Sequence, residues 1–271
     1  MIDLSNENVI HIKQNGIEYL QFKRLLEYPN LKHAFTLKPL NFAGILDYEE
    51  KKELVKQSNQ KICQALKIDA TNIYRPEQMH TGNVEVVEKQ KPGIFTKDFK
   101  NIDALVTNQK EKILELAFAD CMPLLFFDPV KKVIANTHSG WKGTVQLIGK
   151  NTVEKMISCY QCCPSDIICC IGPTIRKCHF EVGEDVKDIF CNQFKDKMDI
   201  NNYIIKTKIE NKKKYYIDTV EINKQILLNM GLKEENIIDS KICSVCSEKQ
   251  IHSYRAHGKE AGRNVTIMEL I

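Results

Sequence analysis

Three short stretches hold the residues best able to do chemistry. They are Glu77-Gln78-Met79-His80-Thr81-Gly82-Asn83, Ala119-Asp120-Cys121-Met122-Pro123, and Asn136-Thr137-His138-Ser139-Gly140-Trp141-Lys142-Gly143. Each reads as lying just past a strand end or in a polar turn, where side chains are exposed and free N–H groups favour anions. His80, Cys121 and His138 together make a plausible catalytic zinc set, with three protein ligands and one open position for water. Zinc lowers the pKa of that water toward neutrality and so supplies a nucleophile. Spacing alone does not single out this reading, because there is no His-Glu-x-x-His run. The same residues also support a metal-free alternative, with Cys121 as a thiolate nucleophile and His138 as its base.

The eleven cysteines include two further pairs, Cys159-x-x-Cys162 and Cys243-x-x-Cys246. Together they could form a structural zinc site, but small buried hydrophobes are the stronger expectation, since Cys159 lies at a helix end with no His partner nearby. Cys169 and Cys170 sit in an apolar run and read as core, and Cys63 falls in a helix. Near the C-terminus, His252-Ser253-Tyr254-Arg255-Ala256-His257-Gly258 and Gly262-Arg263-Asn264 suit an anion or ribose site or an ordinary charged loop.

The elements that must position these residues are readable in part. Residues 47–66 read as a helix, with Asp47 and Glu50 as a capping box and Leu54, Ser58, Ile62 and Leu66 on one face. Residues 84–87, 104–106, 113–119, 123–127, 133–135 and 167–171 read as strands, mostly buried. Residues 144–158 read as one amphipathic helix through Val145, Ile148, Thr152 and Met156. Further on, 182–194 and 220–230 read as helices, the second closed by Gly231, and 215–217 and 265–270 as strands. The mixture gives an α+β class, a mixed α/β sandwich in a single domain spanning 1–271.

The 271 residues carry 39 Lys+Arg against 35 Asp+Glu, a net charge of +4 that is too mild and too scattered to point to nucleic acid. No 18-residue apolar run suggests a membrane span, and the polar N-terminus does not read as an export signal. With an odd cysteine count, a reduced cytoplasmic protein is expected.

Read in order, Gln78-Met79-His80, Ala119-Asp120-Cys121-Met122-Pro123, His138-Ser139-Gly140-Trp141-Lys142-Gly143, Ile171-Gly172-Pro173 through Phe180-Glu181-Val182-Gly183, and Ser253-Tyr254-Arg255 with Gly262-Arg263 resemble the laccase-domain family. That family is also called the polyphenol oxidase or purine nucleoside phosphorylase family, and it includes a peptidoglycan editing branch. The resemblance runs from about His33 to the C-terminus. It implies a single-domain fold related to putative cysteine hydrolases and to the cytotoxic necrotizing factor catalytic domain. It also implies zinc on His80, Cys121 and His138, and a small-molecule substrate. The implied reactions are phosphorolysis of adenosine, inosine, guanosine and methylthioadenosine, and deamination of adenosine. Editing of a peptidoglycan precursor by a Cys/His hydrolase or amidase is the alternative.

The copper oxidase activity in the family name needs several copper sites, and the seven histidines here are too few for them. On the purine reading, Asp120 shuttles a proton, Gln78 contacts substrate, and Lys38, Lys142, Arg255 and Arg263 hold phosphate. Lys38 and Lys142 stand where the family usually has Arg, so they neutralise charge without a planar fork. His179 stands where many members carry Cys, and His252 where many carry Phe.

Overall fold

The computed structural model describes residues 2–43, 49–94, 97–209 and 212–271. Asp47, expected as a helix cap, lies outside them. The described strands are, in chain order, β1 (Val9–Gln14), β2 (Ile17–Phe22), β3 (Leu31–Thr36), β4 (Ile73–Arg75), β5 (Val84–Val86), β6 (Gly93–Ile94), β7 (Ala104–Thr107), β8 (Ile113–Phe118), β9 (Met122–Asp128), β10 (Val133–Ser139), β11 (Ile168–Ile171), β12 (Glu181–Val182), β13 (Ile204–Ile209), β14 (Lys212–Ile217), β15 (Ile237–Asp239) and β16 (Asn264–Leu270). The helices are α1 (Lys23–Leu26), α2 (Glu49–Leu66), α3 (Trp141–Val145), α4 (Ile148–Tyr160), α5 (Glu184–Phe194), α6 (Thr219–Asn229) and α7 (Tyr254–His257).

Seven strands pair in the order β1-β2-β3-β16-β8-β4-β6 and six in the order β15-β11-β9-β10-β7-β5; β12-β14-β13 form a small third sheet. The two large sheets pack face to face. Alternate residues of both sheets fill the space between them: Leu114, Leu116 and Met268 from one, Leu105, Leu125 and Phe127 from the other. The outer face of the seven-stranded sheet is covered by α2 through Val55, Ile62, Cys63 and Leu66. That of the six-stranded sheet is covered by α4 and α6 through Val153, Met156, Val220 and Leu227. The order helix, sheet, sheet, helix explains the nearly continuous apolar runs of β9 and β10: both faces of each strand are out of water. Asn136 crosses the inter-sheet space, its Nδ2 donating to the carbonyls of Leu114 (2.9 Å) and Thr266 (3.2 Å).

Several expectations shift. α2 buries Ser58, Ile62 and Leu66 of the expected face, but Leu54 is 45 % exposed and the buried face extends instead over Val55, Asn59 and Cys63. The expected helix over 144–158 is two helices, because Leu147 takes a left-handed conformation (φ 61°) between α3 and α4. Val182 belongs to β12, and its helix begins at Glu184. The β1–β2 hairpin was not anticipated, although Asn15 (φ 52°) and Gly16 (φ 75°) form the Asn-Gly turn that commonly joins such strands. No described helix is long and apolar enough to cross a membrane.

Candidate active site

The site assembles where β4, β8 and β10 end and β9 begins. β9 and β10 pair antiparallel with His138 opposite Pro123, so the turn that carries Cys121 comes up beside His138. His138 is inside β10, which runs on to Ser139, rather than past its end as expected. His80 follows β4 on a loop and has a left-handed backbone (φ 60°). The ligand atoms of His80, Cys121 and His138 lie within 4.8 Å of one another, and the two imidazoles meet edge to face with centroids 4.9 Å apart.

Asp103, at the entrance to β7, holds this arrangement, and the sequence reading missed it. Its buried carboxylate accepts hydrogen bonds from His138 Nδ1 (2.8 Å), from the backbone N–H groups of Met79 (3.2 Å), His80 (3.0 Å) and Thr81 (2.7 Å), and from the Thr81 hydroxyl (2.8 Å). Burial opposes its ionisation, but these donors outweigh burial and hold the carboxyl below its ordinary range. The signal was an acid at the mouth of an apolar strand, Asp103-Ala104-Leu105-Val106. With Nδ1 of His138 committed to Asp103, its other ring nitrogen is left for the cluster.

Without metal, burial is the largest single influence and disfavours charge on both Cys121 and His138, but their mutual attraction, added to the hydrogen bonds around them, outweighs it. That attraction brings the thiol down to about 6, with help from hydrogen bonds to both imidazoles, and takes His138 up to about 9, with help from Asp103. A thiolate and two imidazoles form a donor set suited to a borderline-soft ion such as zinc or copper. The packing leaves no spare room: a Cβ on Gly140 would lie 2.9 Å from Cys121 Sγ and 3.0 Å from His80 Cδ2.

The cluster opens into a cavity of about 620 Å³. Phe42, Trp141, Phe180 and Tyr254 supply rings to its lining; Arg75, Arg255, Lys259 and Arg263 supply cations. Arg75 and Lys259 were not anticipated. Arg75 is buried against Glu115 (3.4 Å) and the Phe42 carbonyl (2.9 Å). Arg255 donates to the carbonyls of His179 and Glu181, and Arg263 to those of Ala261 and Gly262.

Lys38 and Lys142 are not among the described lining residues. Lys38 is drawn away by the Glu248 carbonyl (2.7 Å), and Lys142 folds over the Trp141 ring. Gln78 lines the cavity, but its amide forms a ladder-like pair with the Ala117 backbone (2.9 and 2.8 Å). Asp120 also lines it, with its carboxylate accepting from the Ser244 hydroxyl and the Arg255 N–H, both at 2.6 Å. His252 turns to the Leu40 carbonyl (2.9 Å).

The two Cys-x-x-Cys motifs do not form a joint site, the alternative the sequence left open, and only Cys162 and Cys243 are buried as the stronger expectation had it. Cys159 is exposed at the end of α4 and Cys162 packs into the core, whereas Cys243 and Cys246 meet Cys178 and His179.

The layered fold defines a mixed α/β protein, and the compact His, Cys, His group in the lining of its cavity is a candidate metal-binding group. The chain belongs to the family described as multi-copper polyphenol oxidoreductase laccase, whose model matches residues 36–271. It is 32% identical over 256 residues to a purine nucleoside phosphorylase of Deinococcus radiodurans, covering 91% of this chain and 92% of that one. It is 30% identical over 210 residues to adenosine deaminase RL5 of an unknown prokaryotic organism, covering 76% and 78%. The structure of hypothetical protein YfiH from Bacillus licheniformis superimposes with a TM-score of 0.83 at 26% identity, covering 95% of this chain and all (100%) of that one.

Proposed function

We propose that this chain is a cytoplasmic, zinc-dependent purine nucleoside enzyme, acting over its whole length as one domain. Its reactions are phosphorolysis of adenosine, inosine, guanosine and methylthioadenosine, and deamination of adenosine. The observation that carries the reading is the His80, Cys121 and His138 cluster at the floor of a cavity lined with both rings and cations. A cavity of this size suits a nucleoside, with rings for the base and a few placed charges for orientation. Two relatives named for these two reactions support it.

His80, Cys121 and His138 would hold the zinc, which when bound acts as a Lewis acid and activates water. Asp103 fixes the His138 ring and the His80 loop. Phe42, Trp141, Phe180 and Tyr254 stack on the base and exclude water. Arg255, Lys259 and Arg263 neutralise phosphate beside the ribose. Asp120 moves the proton at Oδ2, exchanging its bond to the Arg255 N–H for one to substrate. The test is metal analysis of purified protein, paired with chromatography of adenosine incubated with and without phosphate. Zinc with adenine or inosine formed is expected; stoichiometric zinc with adenosine untouched in both incubations overturns the reading.

A second reading has its own observation. Asp103, His138 and Cys121 are linked in series, with the thiol held at about 6 against burial, an arrangement that suits a Cys/His hydrolase or amidase acting on a peptidoglycan precursor. It requires activity that survives metal removal and is lost on alkylation of Cys121.

A further inference from the structure

We propose that the chain carries a second metal centre, a structural Cys₃His site for zinc built from Cys178, His179, Cys243 and Cys246. The four ligand atoms lie within 4.8 Å of one another. Cys178 Sγ is 3.5 Å from Cys243 Sγ and 3.9 Å from Cys246 Sγ. His179 Nδ1 is 3.2 Å from Cys178 Sγ, 3.7 Å from Cys243 Sγ and 3.6 Å from Cys246 Sγ. A tetrahedral zinc with Zn–S bonds of about 2.3 Å has sulphur–sulphur edges of about 3.8 Å, and sulphur–nitrogen edges of about 3.5 Å. The observed separations bracket both. They are far longer than the roughly 2.05 Å of a disulfide.

The backbone prepares the site. The segment after β11 runs beside the segment after β15: Thr174 N–H donates to the Ile242 carbonyl (3.3 Å) and Ser244 N–H to the Thr174 carbonyl (2.9 Å). Cys243-x-x-Cys246 then turns back on itself, with Ser247 N–H donating to the Cys243 carbonyl (3.0 Å). Cys178-His179 is thereby laid across the mouth of this turn. Cys178 and Cys246 are exposed and Cys243 is buried, which puts the site near the surface with an entry path for the ion.

A metal here would clamp one wall of the main cavity. Thr174, Ile175 and Phe180, which flank Cys178-His179 in sequence, line that cavity. Ser244, between Cys243 and Cys246, donates to Asp120, and the His179 carbonyl accepts from the Arg255 guanidinium. Two loops far apart in sequence would be held in register by one ion, with the catalytic cluster a separate site.

The experiment is metal quantification with X-ray absorption on the intact chain and on variants shown to be folded by circular dichroism. The intact chain is expected to hold two zinc ions. Cys121→Ser should keep one, in a shell of three sulphurs and one nitrogen. Cys246→Ser should lose that one and show a raised substrate KM with kcat nearly unchanged. His179→Ala should lose it as well, whereas His179→Cys, which restores a donor, should keep it; a packing role would not give that pattern. A folded Cys121→Ser chain that takes up no zinc, or peptide mapping that finds a Cys178–Cys243 disulfide, overturns the inference. If the intact chain holds one ion, a shell of two nitrogens and one sulphur overturns it too, while a three-sulphur shell upholds it and counts against the catalytic zinc instead.

Discussion

Asp103 and His138 are joined twice, by His138 Nδ1 to the carboxylate at 2.8 Å and by the His138 backbone N–H to the Asp103 carbonyl at 2.7 Å. The same carboxylate gathers the N–H groups of the loop carrying His80. One buried acid therefore orients two of the three proposed ligands, which meet only in the folded chain. Asp103→Asn keeps the shape but puts a donor where acceptors are needed. Outer partners of this kind typically contribute about 10–100-fold to metal affinity. A loss of that size is expected in competition titration against a chelator, and an unchanged affinity would remove Asp103 from this role.

Gly140 is required by proximity rather than by backbone freedom. A methyl group there would press on Cys121 Sγ at 2.9 Å and His80 Cδ2 at 3.0 Å, so one ligand must move. Gly140→Ala should purify folded, with an unfolding midpoint near that of the parent, yet with little metal in the His80, Cys121 and His138 site. X-ray absorption separates that site from the Cys₃His one. Full occupancy with a normal shell would show that the ligands can relax.

The three candidate ligands were legible by residue type and by the ordered motifs around them: His80 and Cys121 do stand in turns, while His138 lies inside β10. The strands were legible because β9 and β10 are buried on both faces and leave unbroken apolar runs. What escaped depends on direction and distance. Lys38 and Lys142 have the right charge, but long side chains follow the nearest carbonyl or ring, here Glu248 and Trp141, and not the cavity. Cys178 and Cys243 lie 65 residues apart, and only the pairing around Thr174 and Ser244 brings them together. Leu147 breaks a helix that periodicity makes continuous, and no local residue preference marks the break.

Substitutions of the cations should divide accordingly. Lys142→Ala and Lys38→Ala should leave the phosphate KM of phosphorolysis unchanged, because neither side chain lines the cavity. Lys259→Ala and Arg263→Ala should each raise it about tenfold, the equivalent of about 1.4 kcal/mol for one charge-assisted contact. Initial-rate kinetics over a phosphate series decides it. An increase confined to Lys142→Ala would move the anion to the other side of Trp141.

Metal-free protein should show an unusually acidic thiol. Burial works against the Cys121 thiolate, but His138 and His80 hold the pKa at about 6. Alkylation of Cys121 by iodoacetamide, followed by peptide mass spectrometry, should rise with pH about a midpoint near 6, and zinc should suppress it. A midpoint near 9 would mean that the imidazoles do not engage the sulphur.

His33 should make stability depend on pH at a distance from any ligand. It is fully buried (0 % exposed); its Nε2 accepts the Phe22 N–H at 2.8 Å, and its Nδ1 has no hydrogen-bond partner. Burial outweighs that one bond and pushes the imidazole down to about 3, against 6.5 for the exposed group. Between these values the unfolded chain binds a proton that the folded chain refuses. The stabilisation is therefore complete above pH 6.5 and is lost as pH falls toward 3, at up to about 1.4 kcal/mol per pH unit. His33→Gln keeps an acceptor for Phe22 without a titrating group, so its stability should fall less between pH 7 and pH 4. Urea unfolding of both proteins at several pH values measures the difference. Parallel losses would mean that His33 is protonated in the folded state or that acid opens the β2–β3 pairing first.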